Sequence, residues 1–539
     1  MSSRKSKSKK SESPSLPIET IEEIFKYITN QSTLYSCLFV NRLWCRKIVP
    51  ILWARPSPLL YKERSAKSLI ESYVSCFDHE ERAILFADDE LTSMVDDDLL
   101  HLPSPLFEYA AFLKELNYPM LRMAVRRCYR KLGNEEFSKK IKPSKPALNP
   151  NRQNTVMKAL CRLFMRSATL DCVVLDSEED IPSVAMFTRG QLAPLVNVTK
   201  LVLQITNNAP NILGLIRKLP AICTGIKNLT IEFSVDNPNE AESLATIIYA
   251  QQNLMNVELK GTSPKIVPIM EALGSQSRTL TSVKFEKIDY QWASLEVLGR
   301  CTNLRNVDFV SDDLNSRVNE EYTVDQPKQQ SGVNGAAFTL RSLKLQNQAP
   351  SFSAAVVKMG GSSLKKLTLD KISTEIVQTI LRSATRITHL YLDITSSQNL
   401  NFENHCSLIG GLKLTFLRLT SSNSSKEIDT LLTLLINKMP TTLRSLELEQ
   451  EFSLPPLGAF LEKCDAPLKE LTLFPNTAID TEYLTTVMNY TKEKKSLKIL
   501  NLNLSWESGL VNGRFTRKMT DELQQCIFTV HLDKLRNID

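Results

Sequence analysis

The chain has 539 residues, of which 42% are hydrophobic and 23% charged, and its formal net charge is +7. This length exceeds what one compact core usually supports, so we expect several domains or an array of repeats. No apolar run of about 18 residues is present to cross a membrane. The eleven cysteines include no C-x-x-C pair, which excludes a ring-finger zinc site and indicates reduced thiols. We therefore expect a soluble protein of the cytoplasm, the nucleus or both.

The first predicted elements are a basic tail and three short helices. Residues 1–13 are rich in Ser, Lys, Arg and Glu and predict a disordered tail. Pro17 then precedes an apolar stripe at Ile21, Ile24, Phe25 and Ile28, which has the spacing of a helix. Two more helices are predicted over 32–40 and 42–52, within a domain spanning 14–55. Three such helices make a weak core, and modules this small rarely stand alone without a disulfide, a metal or a partner.

This segment resembles an F-box over residues 16–53. The matching positions, in chain order, are Leu16, Pro17, Glu19, Ile21, Ile24, Phe25, Tyr27, Ile28, Leu34, Cys37, Val40, Asn41, Arg42, Trp44, Ile48, Pro50, Leu52 and Trp53. The residue pattern is similar to that of the large fungal families in which an F-box precedes degenerate leucine-rich repeats. The resemblance implies binding to a small Skp-family adaptor and, through it, to cullin and ring subunits.

The resemblance also implies which residues face the adaptor. They are Leu16, Pro17, Ile21, Ile24, Phe25, Ile28, Leu38, Val40 and Trp44. Some of them must instead form the core of the three helices, and the sequence does not separate the two sets.

Residues 56–160 carry helical patterns without a repeat template and predict a helical connector. The basic side chains between Arg122 and Lys145 could attract phosphate or an acidic partner. A charge run is more often a solvated helix face, so the sequence does not favour nucleic acid as a partner.

The rest of the chain, residues 161–539, is dominated by one repeated pattern, an apolar residue at positions 1, 4 and 6. Thirteen copies begin at Leu170, Val198, Ile226, Leu254, Leu280, Leu304, Leu340, Leu364, Ile387, Leu414, Leu443, Leu468 and Leu497. Their spacing is that of stacked strand-plus-helix units. We therefore predict an α/β fold in which a curved leucine-rich-repeat solenoid carries parallel strands on its concave face and helices on its convex face. A C-terminal cap helix is predicted over 516–535, and a loop over 312–336.

Positions 3, 5 and 7 of each copy should face outward, because side chains alternate across a strand. Three outward rows are less polar than the others and form a tentative substrate-binding patch of His389, Tyr391, Phe416, Arg418 and Phe474. The alternative is that scattered surface aromatics have no function. At position 9, where regular leucine-rich repeats carry Asn or Cys, only Asn476 fits, so no asparagine ladder is expected.

Catalysis finds little support in the sequence. The five histidines fall in no zinc pattern, and no glycine-rich phosphate loop occurs. We expect a non-catalytic protein without cofactors. The resemblance and the repeats together predict the substrate-recognition subunit of a Skp-cullin-F-box ubiquitin ligase, whose repeats bind a protein substrate. The alternative is a leucine-rich-repeat interaction scaffold that takes no part in ubiquitin transfer.

Overall fold

The computed structural model describes residues 17–60, 63–86, 104–132, 150–176, 193–205, 214–233, 238–261, 266–288, 292–311, 339–394, 401–421, 425–449, 454–474, 481–503 and 529–533. The described residues form two compact units. The first contains those up to Lys227 together with Ala250–Gln252, and the second contains Asn228–Tyr249 and those from Asn253 onward. The predicted tail (1–13) and loop (312–336) lie outside the described residues. None of the described helices is long and apolar enough to span a membrane.

The first unit opens with the three predicted helices, α1 (Ile18–Tyr27), α2 (Gln31–Cys37) and α3 (Arg42–Ala54). Asn30 and Asn41 cap the second and third helices. The side-chain oxygen of Asn30 accepts from the N–H groups of Ser32 and Thr33, and that of Asn41 accepts from the N–H of Trp44. The core of this three-helix module is small and consists of Phe25, Leu34 and Ile48.

Further helices follow in the first unit: α4 (Ser57–Leu60), α5 (Glu63–Ser75), α6 (His79–Phe86), α7 (Tyr118–Leu132), α8 (Pro150–Ser167) and α9 (Ala193–Val196), with a 3-10 turn at Tyr109–Phe112. Trp53, in the last turn of α3, packs against Tyr73 of α5 and Tyr109, with ring centroids 5.4 and 4.2 Å apart. The backbone N–H of Lys114 donates to the carbonyl of Ala54 at 2.9 Å. The three-helix module is thereby joined directly to the elements that follow it.

The connector, residues 56–160, was predicted to be helical, but it also contains a strand. The described residues of the first unit include three parallel strands, β1 (Glu115–Asn117), β2 (Cys172–Asp176) and β3 (Lys200–Ile205), paired in that order. Leu113, Leu116 and Tyr118 fit the repeat template and are all buried. This first copy was missed because α7 begins directly after the strand, so its residues read as part of one helical pattern.

The second unit alternates strands with helices. Its strands are β4 (Asn228–Phe233), β5 (Asn256–Gly261), β6 (Ser282–Glu286), β7 (Asn306–Val310), β8 (Ser342–Gln346), β9 (Lys366–Leu369), β10 (His389–Asp393), β11 (Phe416–Thr420), β12 (Ser445–Glu449), β13 (Glu470–Phe474), β14 (Ile499–Asn503) and β15 (Thr529–Asp533). Its helices are α10 (Pro238–Tyr249), α11 (Val267–Ser275), α12 (Trp292–Gly299), α13 (Pro350–Gly360), α14 (Thr374–Ser383), α15 (Phe402–Gly411), α16 (Ser425–Leu435), α17 (Leu454–Lys463) and α18 (Thr481–Lys494). Each strand pairs in parallel with the next along the chain.

The thirteen predicted strands are confirmed. At template positions 1, 4 and 6, every side chain that the structure describes is at most 4% exposed. Helices pack on their neighbours from α10 to α12 and from α13 to α18, so each repeat buries its apolar edge against the next.

The C-terminal cap helix predicted over 516–535 is wrong in its last part. Residues Thr529–Asp533 form strand β15, which extends the parallel sheet of the second unit beyond β14. Ile527, Val530 and Leu532 repeat the template spacing once more, and Thr529 and Val530 are β-branched residues that favour strands.

Candidate interaction surfaces

The three-helix module exposes an unusual amount of apolar surface. Of the fourteen large apolar side chains that are exposed in the described residues, seven lie between residues 24 and 51. We call these seven the N-terminal apolar surface: Ile24, Tyr27, Tyr35, Phe39, Val40, Leu43 and Ile51. Such a concentration of exposed apolar side chains within one short segment is typical of a binding site for another protein.

The aromatic members of the N-terminal apolar surface are well exposed. Tyr27 is 78% and Phe39 73% exposed, and the rings of Tyr35 and Phe39 contact each other edge to face at 5.4 Å. Amphipathic, rigid aromatic side chains are enriched in protein interfaces. Of the seven, the sequence had singled out Ile24 and Val40 as adaptor-facing. It did not single out Tyr27, Tyr35, Phe39, Leu43 or Ile51, whose exposure depends on how the helices pack.

The structure divides the predicted adaptor-facing residues between core and surface. Phe25 is buried in the core, and the ring of Trp44 packs on it edge to face at 5.0 Å. Ile21, Ile28 and Leu38 pack partly buried around the same core. Pro17, Ile24 and Val40 are exposed, while Leu16 lies outside the described residues. The exposed subset, not the whole set, is available to a partner.

A second candidate surface lies on the strand face of the second unit. The strand register places His389 of β10 opposite Phe416 of β11, and Tyr391 opposite Arg418. The three rings form one group, which we call the aromatic cluster: His389 stacks on Phe416 at 5.6 Å, and Tyr391 contacts Phe416 at 4.9 Å. Four of the five residues of the predicted patch are therefore neighbours.

Charged side chains flank the aromatic cluster on both sides. The Lys366 Nζ of β9 lies 4.4 Å from the centre of the Tyr391 ring, a cation–π contact. Partial burial of the ring and, secondarily, the charge of Lys366 lower the pKa of His389. On the other side, the Arg418 Nε lies 3.0 Å from Glu449 Oε2 and 3.7 Å from Glu447 Oε2. The arginine that was predicted to bind a substrate is therefore already paired within the chain.

Phe474 is separated from the aromatic cluster. In the register it lies opposite Glu449 of β12, which in turn lies opposite Thr420 of β11, so two strand spacings, about 10 Å, intervene. Its side chain lies outside the described residues. The sequence-based prediction grouped Phe474 with the aromatic cluster because the outward rows of β10, β11 and β13 are all less polar than the rest. It did not take into account that the acidic row of β12 lies between β11 and β13.

That acidic row is the feature that sequence reasoning missed. In the register, Glu470 of β13 lies opposite Ser445 of β12, two residues before Glu447 and four before Glu449. The Ser445 hydroxyl donates to Glu470 at 3.1 Å. Burial raises the pKa of Glu447, the Glu470 and Glu449 carboxylates raise it further, and Arg418 opposes them. The strand face therefore changes from aromatic to acidic within two strands.

The face of β4–β6 is different, because its charges pair with one another. Lys260 contacts Glu232 and Glu286 at 3.2 and 3.8 Å, and Lys284 contacts Glu258 and Glu286 at 2.7 and 2.8 Å. Such alternating pairs across strands stabilise the sheet and leave little charge for a partner.

The basic helix α7 is used for packing where the structure describes it. Arg122 is buried, Arg126 lies 3.5 Å from the side-chain oxygen of Gln153, and Arg127 donates to the carbonyl of Leu60 at 3.4 Å. These arginines are therefore not a ready surface for phosphate. Within the described ranges no three His, Cys, Asp or Glu side chains gather as a metal site.

Parallel strands that alternate with helices, each repeat packed on the next, define a leucine-rich-repeat-like array, the architecture of a protein-interaction scaffold. No family model matches the chain, and no curated protein matches it. Among solved structures, the chain is similar to the leucine-rich-repeat-containing protein LegL7 from Legionella pneumophila, at 12% identity and a TM-score of 0.34, over 59% of this chain and 86% of that one. Similarity at this level says nothing about function, which must be inferred from the surfaces of this chain.

Proposed function

We propose that the chain is the substrate-recognition subunit of a Skp-cullin-F-box ubiquitin ligase, in which the three-helix module binds the Skp-family adaptor. The N-terminal apolar surface is the observation that carries this proposal. A core of three buried residues leaves the module weak by itself, and seven exposed apolar side chains beside it need a cover. Burying them against an adaptor would stabilise the complex by the hydrophobic effect.

The array supplies the other half of the proposed role. A long row of strands presents polar, charged and aromatic side chains to a protein target, and the chain itself need not catalyse anything. The partners would perform the chemistry, and this chain would hold substrate lysines close to activated ubiquitin, which is a proximity effect.

Co-purification tests the proposal directly. The full chain is expected to bind a purified Skp-family adaptor, and a Tyr35→Ser/Phe39→Ser/Val40→Ser variant is expected to lose that binding, because these three side chains are exposed and outside the core. The matched control replaces exposed apolar residues elsewhere, Met255→Ser/Leu434→Ser, and should bind like the parent. Undiminished adaptor binding by the triple variant would refute the assignment of this surface.

The alternative, an interaction scaffold outside ubiquitin transfer, differs in its second partner. Addition of a cullin to the adaptor complex separates the two functions. A stable complex of chain, adaptor and cullin supports the ligase subunit, whereas adaptor binding that excludes the cullin favours the scaffold.

A further inference from the structure

We infer that the strand face from β9 to β13 binds an extended protein segment in which an apolar side chain is followed or preceded, two or three residues away, by lysine or arginine. The inference deepens the proposed function and rests on it only in taking the array as the part that holds the target. The apolar residue would contact the aromatic cluster, and the basic residue would reach the carboxylates of β12 and β13.

The aromatic cluster provides the apolar half of this site. Tyr391 and Phe416 are half-buried and His389 is exposed, so the three rings present edges and faces to solvent while their backs are held by the strands. Rings fixed in this way lose little conformational entropy when a partner packs on them. The described faces of β4–β8 carry no equivalent group, since their outward side chains are polar or charged apart from Val310.

Charge complementarity decides what lies beside the apolar residue. Glu447 lies between two other carboxylates, with Glu449 two residues further along β12 and Glu470 diagonally across on β13. Arg418 supplies one guanidinium to Glu447 and Glu449. The contacts of Glu470 are with neutral donors, the Ser445 hydroxyl at 3.1 Å and the Asn501 amide at 3.2 Å. Three negative charges against one positive charge leave two in excess, which a basic side chain would offset.

The distances set the spacing in the partner. Neighbouring strands lie about 4.8 Å apart, so the carboxylates of β12 and β13 stand about 5 to 10 Å from Phe416 across the strands. An extended peptide advances about 3.3 Å per residue. A segment that crosses the strands would therefore place its basic residue two or three positions from the apolar one.

A random dodecapeptide library displayed on phage and selected against the immobilised full chain tests this inference. We expect enrichment of peptides with lysine or arginine two or three residues from a leucine, isoleucine or aromatic residue. For an enriched peptide, replacing the basic residue with glutamine should weaken binding about tenfold by fluorescence anisotropy. Enrichment of acidic peptides, or of none, would overturn the inference.

Variants assign the binding to this face. Glu447→Gln/Glu470→Gln keeps side-chain shape and should abolish the preference for the basic peptide over its glutamine version, while Tyr391→Ala/Phe416→Ala should abolish enrichment altogether. Glu258→Gln, on the same column of the strand face at β5, is the control and should change neither. If the carboxylate variant retains the full preference, the inference is wrong. Peptide binding is measured in the absence of the adaptor, and adaptor binding in the absence of the peptide. The inference and the proposed function can therefore fail independently of each other.

Discussion

The hydroxyl of Thr415 donates a hydrogen bond to the main-chain carbonyl of Thr388, one repeat earlier, at 3.2 Å. Thr388 repeats the contact with the carbonyl of Lys365 at 3.4 Å, and Thr442 with that of Leu414 at 2.7 Å. The same bond is made by Thr199, Thr281, Thr339 and Ser363. Each hydroxyl stands directly before or after the first apolar residue of its template. Hydroxyls at the start of these strands thus link successive repeats.

Replacing Thr415 with valine should therefore loosen its repeat without disturbing its shape. Thr415→Val removes the hydroxyl, but the carbonyl of Thr388 still accepts from the N–H groups of Thr415 and Phe416, so we expect a loss of only about 1 kcal/mol in the free energy of unfolding. Urea unfolding measures the loss, and amide hydrogen exchange should locate it in β10 and β11.

Thr368→Val is the matched control, because this side chain projects from the outward face of β9 and takes no part in the hydroxyl series. It should leave the free energy of unfolding within about 0.5 kcal/mol of the parent. Equal effects of the two variants would show that the hydroxyl series does not stabilise the array.

Inside the first unit, the side chain of Gln251 also hydrogen-bonds to the main chain of the preceding segment. Its side-chain oxygen accepts from the Ile226 N–H at 2.9 Å, and its side-chain amide donates to the carbonyl of Cys223 at 2.8 Å. Gln251→Leu would leave both buried backbone groups without this partner, and we expect a destabilisation of about 3 kcal/mol. The neighbouring Gln252 is exposed, so Gln252→Leu should be nearly neutral in the same urea titration. A small effect at Gln251 would mean that water replaces the side chain.

The repeats could be predicted from the sequence because leucine at positions 1, 4 and 6 encodes both a strand and a buried face. The copies at β1 and β15 were missed for physical reasons: β1 runs straight into α7, and the first apolar position of the last copy is Ile527 followed by Phe528, which breaks the alternation of polar and apolar residues. The hydroxyl bonds were not predictable either, since threonine at the start of a strand is common and its acceptor lies a whole repeat away.

The candidate sites were predictable only in part. The strand template fixed which residues of β10 and β11 face outward, and hence the aromatic cluster. It did not show that Arg418 is held by Glu447 and Glu449, because that depends on side-chain reach across strands. In the three-helix module, the packing of Phe25 against Trp44 decides which residues remain exposed, and helical spacing alone leaves that open.

The joint after α3 should control the orientation of the three-helix module. Trp53 packs between Tyr73 and Tyr109, while the Arg55 guanidinium contacts Asp171 at 2.8 Å and Glu115 at 3.5 Å. We expect Trp53→Ala to lower the free energy of unfolding by about 3 kcal/mol and to free the module. Arg55→Ala should lower it by less than about 1 kcal/mol, because the Arg55 side chain is more than half exposed to solvent, which screens its ion pairs. Spin labels at the exposed residues Glu19 and Lys200 should report a broader distance distribution in the tryptophan variant alone. An unchanged width would place the rigidity elsewhere.

Binding of a basic peptide to the strand face should weaken on acidification. Because burial and the neighbouring carboxylates raise the pKa of Glu447, this group takes up a proton at a higher pH than an ordinary glutamate. The attraction is therefore complete above the raised pKa and is lost as the pH falls through it. His389, whose pKa is lowered, becomes charged only below the ordinary range of histidine and would add repulsion there. Anisotropy between about pH 8 and about pH 4 should show the loss, and Glu447→Gln should flatten the curve, with Glu258→Gln as the control that retains it. Tighter binding at low pH would contradict the role of the carboxylates.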